Sequence, residues 1–149
     1  MLTTLIAHRG NISGKIPKWE NHPKYIIDAI LAGYDVEIDV WLIGNNLYLG
    51  HDTPQYPITL KWLVNYLPVL WIHCKNKEAL SYFNKYDSIG FNYFSHETDE
   101  GVLTSHNYIW STNLYDNGIL VLPEVFNTTP TKNTLGICSD LIENYKEWL

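Results

Sequence analysis

The run Val36-Glu37-Ile38-Asp39-Val40 places two carboxylates two residues apart among branched apolar neighbours. In an extended strand residues i and i+2 share a face, so Glu37 and Asp39 project together while Val36, Ile38 and Val40 face the other way. Two acids on an inward face repel each other and lose hydration, and a hard divalent cation coordinated through oxygen relieves both costs. On an edge strand the same pair is simply solvated, with Asp35 extending the alternation. His8 ends the first apolar segment, and His51-Asp52 follows the segment Leu47 to Gly50. With pKa values near ~6.5, such a histidine pair supplies one general base and one general acid at neutral pH. Taken singly, each is an ordinary satisfied or solvent-facing histidine, as are His22, His96 and His106. Arg9 is the only arginine, the other nine basic residues being lysines. Its planar fork suits a phosphate better than a lysine does; the competing reading is a salt bridge to Glu20. In His73-Cys74-Lys75 the first and third residues share a face. If that face is inward, Lys75 reaches a phosphate oxygen and His73 a metal; otherwise Lys75 starts the cap of the next helix. Trp110 is either core or a wall of the pocket.

Short apolar runs ending in polar residues recur along the chain and predict eight strands: Thr4 to Ala7, Asp35 to Val40, Leu47 to Gly50, Val69 to His73, Ile89 to Phe94, Tyr108 to Trp110, Ile119 to Leu122 and Leu135 to Cys138. Helical spacing predicts Pro23 to Ala32, Leu60 to Tyr66, Lys77 to Lys85 and Asp140 to Trp148, the last capped by Asp140. Strands buried on both faces and alternating with helices argue for a parallel sheet, and eight of them for a compact (β/α)8 barrel of the TIM type with catalytic residues at its carboxyl rim. Such barrels usually take ~250 residues, so at 149 several crossover helices must be missing or vestigial. Only about six residues join the second and third strands, enough for an extended return at ~3.3 Å per residue. The wall left bare by missing helices is expected to meet a second copy of the chain.

Composition sets the frame. The chain is 46% hydrophobic and 17% charged, which describes one cored domain over residues 1–149 and excludes a disordered segment. A net charge of -6 with scattered lysines excludes the basic footprint of a nucleic-acid binder. No run approaches the ~20 apolar residues of a membrane span, and no leader pattern opens the chain, so a cytoplasmic protein is expected. Cys74 and Cys138 have no disulfide or metal-knuckle spacing and read as buried small hydrophobes.

Taken in order, Ala7-His8-Arg9-Gly10, Glu20-Asn21, the turn at Gly33, Glu37-Ile38-Asp39-Val40 and His51-Asp52 resemble the glycerophosphodiester phosphodiesterase family of the phospholipase-C-like barrel superfamily. Trp110-Ser111-Thr112-Asn113 and Gly136-Ile137-Cys138-Ser139-Asp140 are similar to its late strands. The resemblance implies His8 and His51 as the acid/base pair, Arg9, Lys75 and Trp110 on the substrate, and Glu37, Asp39, Glu20 and His73 around one divalent cation, magnesium or calcium, with manganese as an alternative. It implies cleavage of a small phosphodiester by its own neighbouring hydroxyl through a cyclic phosphate. His73 stands where that family carries a glutamate, which moves the site away from calcium toward metals that accept nitrogen. Two other readings stay open: a barrel that binds a phosphorylated ligand without turnover, and a different hydrolase with a transition metal on His8, His51, His73 and Asp39.

Overall fold

The computed structural model describes residues 4–149. Its ten strands form one mixed sheet, curled into a half-barrel. They are β1 (Thr4–His8), β2 (Asp35–Ile43), β3 (Asn46–Leu49), β4 (Tyr56–Ile58), β5 (Leu70–Cys74), β6 (Asn92–Phe94), β7 (Gly101–Leu103), β8 (Ile109–Ser111), β9 (Gly118–Val121) and β10 (Gly136–Ser139). Seven run parallel in the order β6-β5-β2-β1-β10-β9-β8, while β7 is antiparallel on β8, and β3 and β4 form an antiparallel extension of β2. The expected (β/α)8 TIM barrel is therefore overturned. The described residues hold α1 (Pro23–Leu31), α2 (Leu60–Asn65), α3 (Lys77–Lys85), a single turn α4 (Pro123–Phe126) and three 3-10 segments, too few helices for strand–helix alternation.

The departure begins at the third strand. Trp41, Leu42 and Ile43 carry β2 well past the end of β1, and Gly44-Asn45 closes a two-residue hairpin with Ile43 opposite Asn46. Gly44 supplies the positive φ of 60° that such a hairpin takes at its first central position. Thus β3 returns antiparallel along the edge that β1 has vacated, in place of an extended loop returning to start a parallel strand. The consequence is positional: the end of β1 and the end of β3 meet at the same stretch of β2. The Arg9 amide donates to the Glu37 carbonyl at 3.0 Å and the Gly50 amide to the Asp39 carbonyl at 3.1 Å. At Gly50 a Cβ would collide with the Thr53 carbonyl oxygen, in a backbone with φ of 157°. Gly50→Ala is expected to cost about 1–3 kcal/mol by forcing that turn apart, read as a lower urea midpoint with an unchanged m-value.

Helices cover one side only. The outward residues of the central strands, including Ala7, Val36, Ile38, Val40, Ile72 and Cys74, are buried with Ile26 and Ala29 of α1 and Ala79 and Phe83 of α3. Pro23 opens α1, whose first turn is capped by His22 Nδ1 accepting from the Lys24 amide; Asn76 caps α3 at the Ala79 amide. The concave side holds a second cluster, Ile6, Trp71, Phe94, Trp110, Ile119, Val121 and Cys138. The outward residues Leu120 and Ile137 of β9 and β10 are buried within the chain. The C-terminal segment is a 3-10 helix, Ile142–Trp148, without a side-chain cap. Asp140 is engaged elsewhere.

Candidate functional site

At the carboxyl ends of β1, β2 and β5 the concave face opens into a cleft of about 590 Å³. His8, Arg9, Glu37, His51, His73, Lys75 and Trp110 all line it. Seven of the nine residues singled out in the sequence thus line one cleft. Asp39 lies beneath them, 1% exposed. Glu20 departs from the expected ligand set: its carboxylate accepts from Asn11 Nδ2 at 2.7 Å and from Arg9 Nη1 at 3.5 Å, and it groups with His8 and Asp140 rather than with Glu37, Asp39 and His73.

His8 ends β1 on the same face as Ile6, pointing inward. Its Nδ1 lies 2.8 Å from Asp140 Oδ1 at the end of β10, which assigns the Nδ1–H tautomer and leaves Nε2 for proton exchange. Asn11 donates to the same Asp140 oxygen at 2.9 Å. Burial raises the Asp140 pKa, but the hydrogen bonds and charge of His8, the Asn11 amide and Arg9 together hold it below the usual carboxylate range. Arg9 follows with φ of 56°, a left-handed conformation costing roughly 1 kcal/mol or more in a residue with a Cβ. That turn aims the guanidinium at the carboxylates: Nε is 3.4 Å from Asp39 Oδ2 and Nη2 is 3.2 Å from His51 Nε2. Burial lowers the Arg9 pKa, and the charges of Glu37, Asp39, Glu20 and Asp140 outweigh it, so the guanidinium stays charged.

The two β2 acids differ although they share a face. For Asp39, burial pushes the pKa up, but contacts with His51 and His73 and the Arg9 charge hold it far below the usual range. Asn21 adds to this grip, donating to Asp39 Oδ2 at 2.8 Å and accepting from the Asp39 amide at 3.0 Å. Glu37 has no comparable set. Burial, and then the Asp39 charge, drive its pKa well up, with Arg9 and Lys75 only partly opposing. Among the described residues, Glu37 Oε1 and Asp39 Oδ1 are buried oxygens without a hydrogen-bond partner, although His73 Nδ1 comes within 3.1 Å of the latter.

His51 reaches the site from the β3 return, with Nδ1 3.5 Å from Asp39 Oδ2; Arg9 donates to its Nε2. His73 lies nearly parallel to Phe94 and His96, with centroids 5.2 and 4.8 Å away and planes within 9° and 7°, and those two rings are themselves 6.2 Å apart. Trp110 packs against Phe94 and Trp71 and serves as both core and cleft wall.

Sequence reasoning missed four participants: Asp140, Asn11, Asn21 and His96. Asp140 was assigned to a helix cap, and its partner His8 lies 132 residues away. Only the Ser139-Asp140 ending of a strand, matching Ala7-His8 in register, offered a signal. His96 lay beyond a strand end with no patterned neighbour.

The site has no counterpart to lean on: no family model matches the chain, and no curated protein or solved structure matches it.

Proposed function

We propose that the cleft hydrolyses a small phosphodiester carrying a hydroxyl next to the phosphate, a glycerophosphodiester or a close analogue. The observation that carries this reading is the convergence, at one cleft, of two histidines, the only arginine, and the carboxylates of Glu37 and Asp39, the first with a buried oxygen that no protein group meets. A buried carboxylate left unpaired costs several kcal/mol, and a divalent cation beside Glu37 would offset that cost. Glu37, Asp39 and His73 would hold it, their donor atoms lying within 4.8 Å of one another. Bound there, such an ion lowers the pKa of a coordinated hydroxyl and offsets charge on a phosphoryl oxygen.

The side chains supply the rest. Arg9 binds phosphoryl oxygens through its fork. The side chains of Arg9 and Lys75 line the same cleft, so Lys75, just beyond β5, adds a second cationic contact. A phosphate drawing Arg9 away frees His51 Nε2, which Arg9 otherwise occupies. His8, oriented by Asp140, accepts the proton of the neighbouring hydroxyl as its oxygen bonds to phosphorus, while His51 gives a proton to the departing alkoxide. The cyclic phosphate then opens with the roles exchanged: His51 takes a proton from water and His8 returns one to the ring oxygen. Water ends in the phosphate monoester and the first alcohol is released.

The test is alcohol release from glycerophosphocholine by chelator-treated protein, assayed with and without added divalent ions. Turnover that requires an added ion supports the reading; none with any ion contradicts it. Arg9→Lys keeps the charge but loses the fork, and is expected to lower kcat/KM about 10- to 100-fold, equivalent to roughly 1.4–2.7 kcal/mol, with little change for an alcohol inhibitor lacking phosphate.

A further inference from the structure

We infer that the loop from Lys15 to Trp19 docks on an anionic lipid surface, with Ile16 and Trp19 entering the headgroup layer and Lys15 and Lys18 meeting its charge. This goes beyond the proposed chemistry and does not rest on it.

Charge is the first observation. The chain carries a net charge of -6, yet between Thr4 and Ile27 it holds Arg9, Lys15, Lys18 and Lys24 against one acid, Glu20. Glu20 is buried against Asn11 and Arg9, and Lys24 pairs with Asp28 at 3.1 Å. Lys15 and Lys18 are exposed, and among the described residues neither forms an ion pair. Asp52, on the β3 return, faces His51 Nε2 at 3.6 Å. The exposed acids that line the cleft, Glu97, Asp99 and Glu100, come from the segment joining β6 and β7. Those strands are the two ends of the order β6-β5-β2-β1-β10-β9-β8-β7, whereas the loop leaves β1 in its middle.

The second observation is how the apolar side chains are displayed. Five consecutive residues, Lys15-Ile16-Pro17-Lys18-Trp19, are exposed, with Ile16 43% and Trp19 45% accessible. Isolated exposed apolar residues are ordinary. Here lysines alternate with them, as in a membrane-interface segment, where an indole sits at headgroup level and lysines reach lipid phosphates. An acidic polypeptide would meet the lysines alone; a lipid layer offers charge and hydrocarbon at adjacent depths.

The loop is also anchored. Asn11 Oδ1 accepts from the Ile16 amide at 3.2 Å and from the Tyr25 hydroxyl at 2.9 Å. The Gly14 amide donates to the Asp140 carbonyl at 2.8 Å, and the Trp19 and Glu20 amides to the Ile16 carbonyl at 3.0 and 3.2 Å. Asn11, Glu20 and Asn21 are buried at its two ends, so the exposed turn is held in place and docking orders little chain. His22 meets the Trp19 ring edge-on at 5.6 Å, and Lys18 Nζ stands 5.8 Å from its centroid. Because the loop follows Arg9, docking sets the cleft mouth against a surface whose headgroups are phosphodiesters.

The experiment sediments the full chain, without substrate, with vesicles of phosphatidylcholine alone or with about 30% phosphatidylglycerol. Binding to the anionic vesicles is expected to exceed that to phosphatidylcholine at least about 10-fold, and to fall as salt rises from about 0.1 to about 0.5 M. Lys15→Ser combined with Lys18→Ser should weaken it roughly 10- to 30-fold. Trp19→Ser should weaken it about 10-fold and remove the blue shift of tryptophan emission that the vesicles induce. Leu31→Ser, at a side chain 79% exposed on α1, is the control and should bind as wild type. No binding to anionic vesicles, equal binding to both compositions, or full binding by Trp19→Ser overturns the inference. Binding to polyglutamate without binding to vesicles overturns it in favour of an acidic protein partner. Failure of the glycerophosphocholine assay leaves each of these outcomes readable.

Discussion

Turnover of a glycerophosphodiester is expected to fall about 10²–10⁴-fold in His8→Ala and in His51→Ala, the range of a lost general acid or base, while the fold persists. His51 is partly exposed, so its removal leaves no buried group stranded; His8 is buried, but Asp140 keeps its Asn11 partner when the ring is lost. Far-UV circular dichroism and Tm close to wild type would show that the loss is chemical. His106, which bonds the Gly90 carbonyl on the surface, is the control: His106→Ala should turn over normally. Asp140→Asn should fall between these limits, because an amide permits the wrong His8 tautomer. Full activity in both His8→Ala and His51→Ala would remove the acid/base assignment.

The second large effect is one of opposite signs. In chelator-treated protein, Asp39→Asn is expected to cost about 3–5 kcal/mol, since it leaves Arg9 and two imidazoles around a neutral group. Glu37→Gln, two residues away on the same strand face, is expected to stabilise. It replaces a carboxyl whose ionisation burial and the Asp39 charge both oppose, and Tm should rise by about 2–4 °C for each kcal/mol gained in a chain of this size. The pH dependence follows the same division. The folded Asp39 pKa is depressed, so its contribution is present above the unfolded value near ~3.9 and is lost as pH falls below it. The folded Glu37 pKa is raised, so above the unfolded value near ~4.3 the native state holds a proton that the unfolded chain has released. Stability therefore declines as pH rises through that window, and Glu37→Gln should abolish the decline. Urea unfolding of the two variants between acid and neutral pH reads both signs. Destabilisation by Glu37→Gln in the ion-free protein would contradict the account of this pair.

Local pattern carried part of this site and distance hid the rest. All eight expected strands occur within a few residues of their expected limits, because alternation and branched side chains report on backbone directly. Glu37 and Asp39 share an inward face for the same reason. What alternation does not encode is the direction of the next strand. Leu47 to Gly50 reads alike whether parallel or antiparallel, and the Gly44-Asn45 hairpin that reverses it was the overlooked signal; the barrel expectation failed there. Tyr56–Ile58 and Gly101–Leu103 are three-residue edge strands with no period to detect. His51 nevertheless arrives at the carboxylates, because the hairpin returns it to Asp39. Groups joined only by the closed fold, such as Asp140 with His8 or Asn21 with Asp39, have no neighbours in sequence that reveal them.

The proposed chemistry opens a phosphodiester through the substrate's own hydroxyl. Phosphorus-31 NMR of glycerophosphocholine with the intact protein and a divalent ion tests it most directly. A transient cyclic phosphate resonance followed by glycerol monophosphate is expected, lost in His8→Ala; an unchanged diester signal across the series of ions would rule this chemistry out.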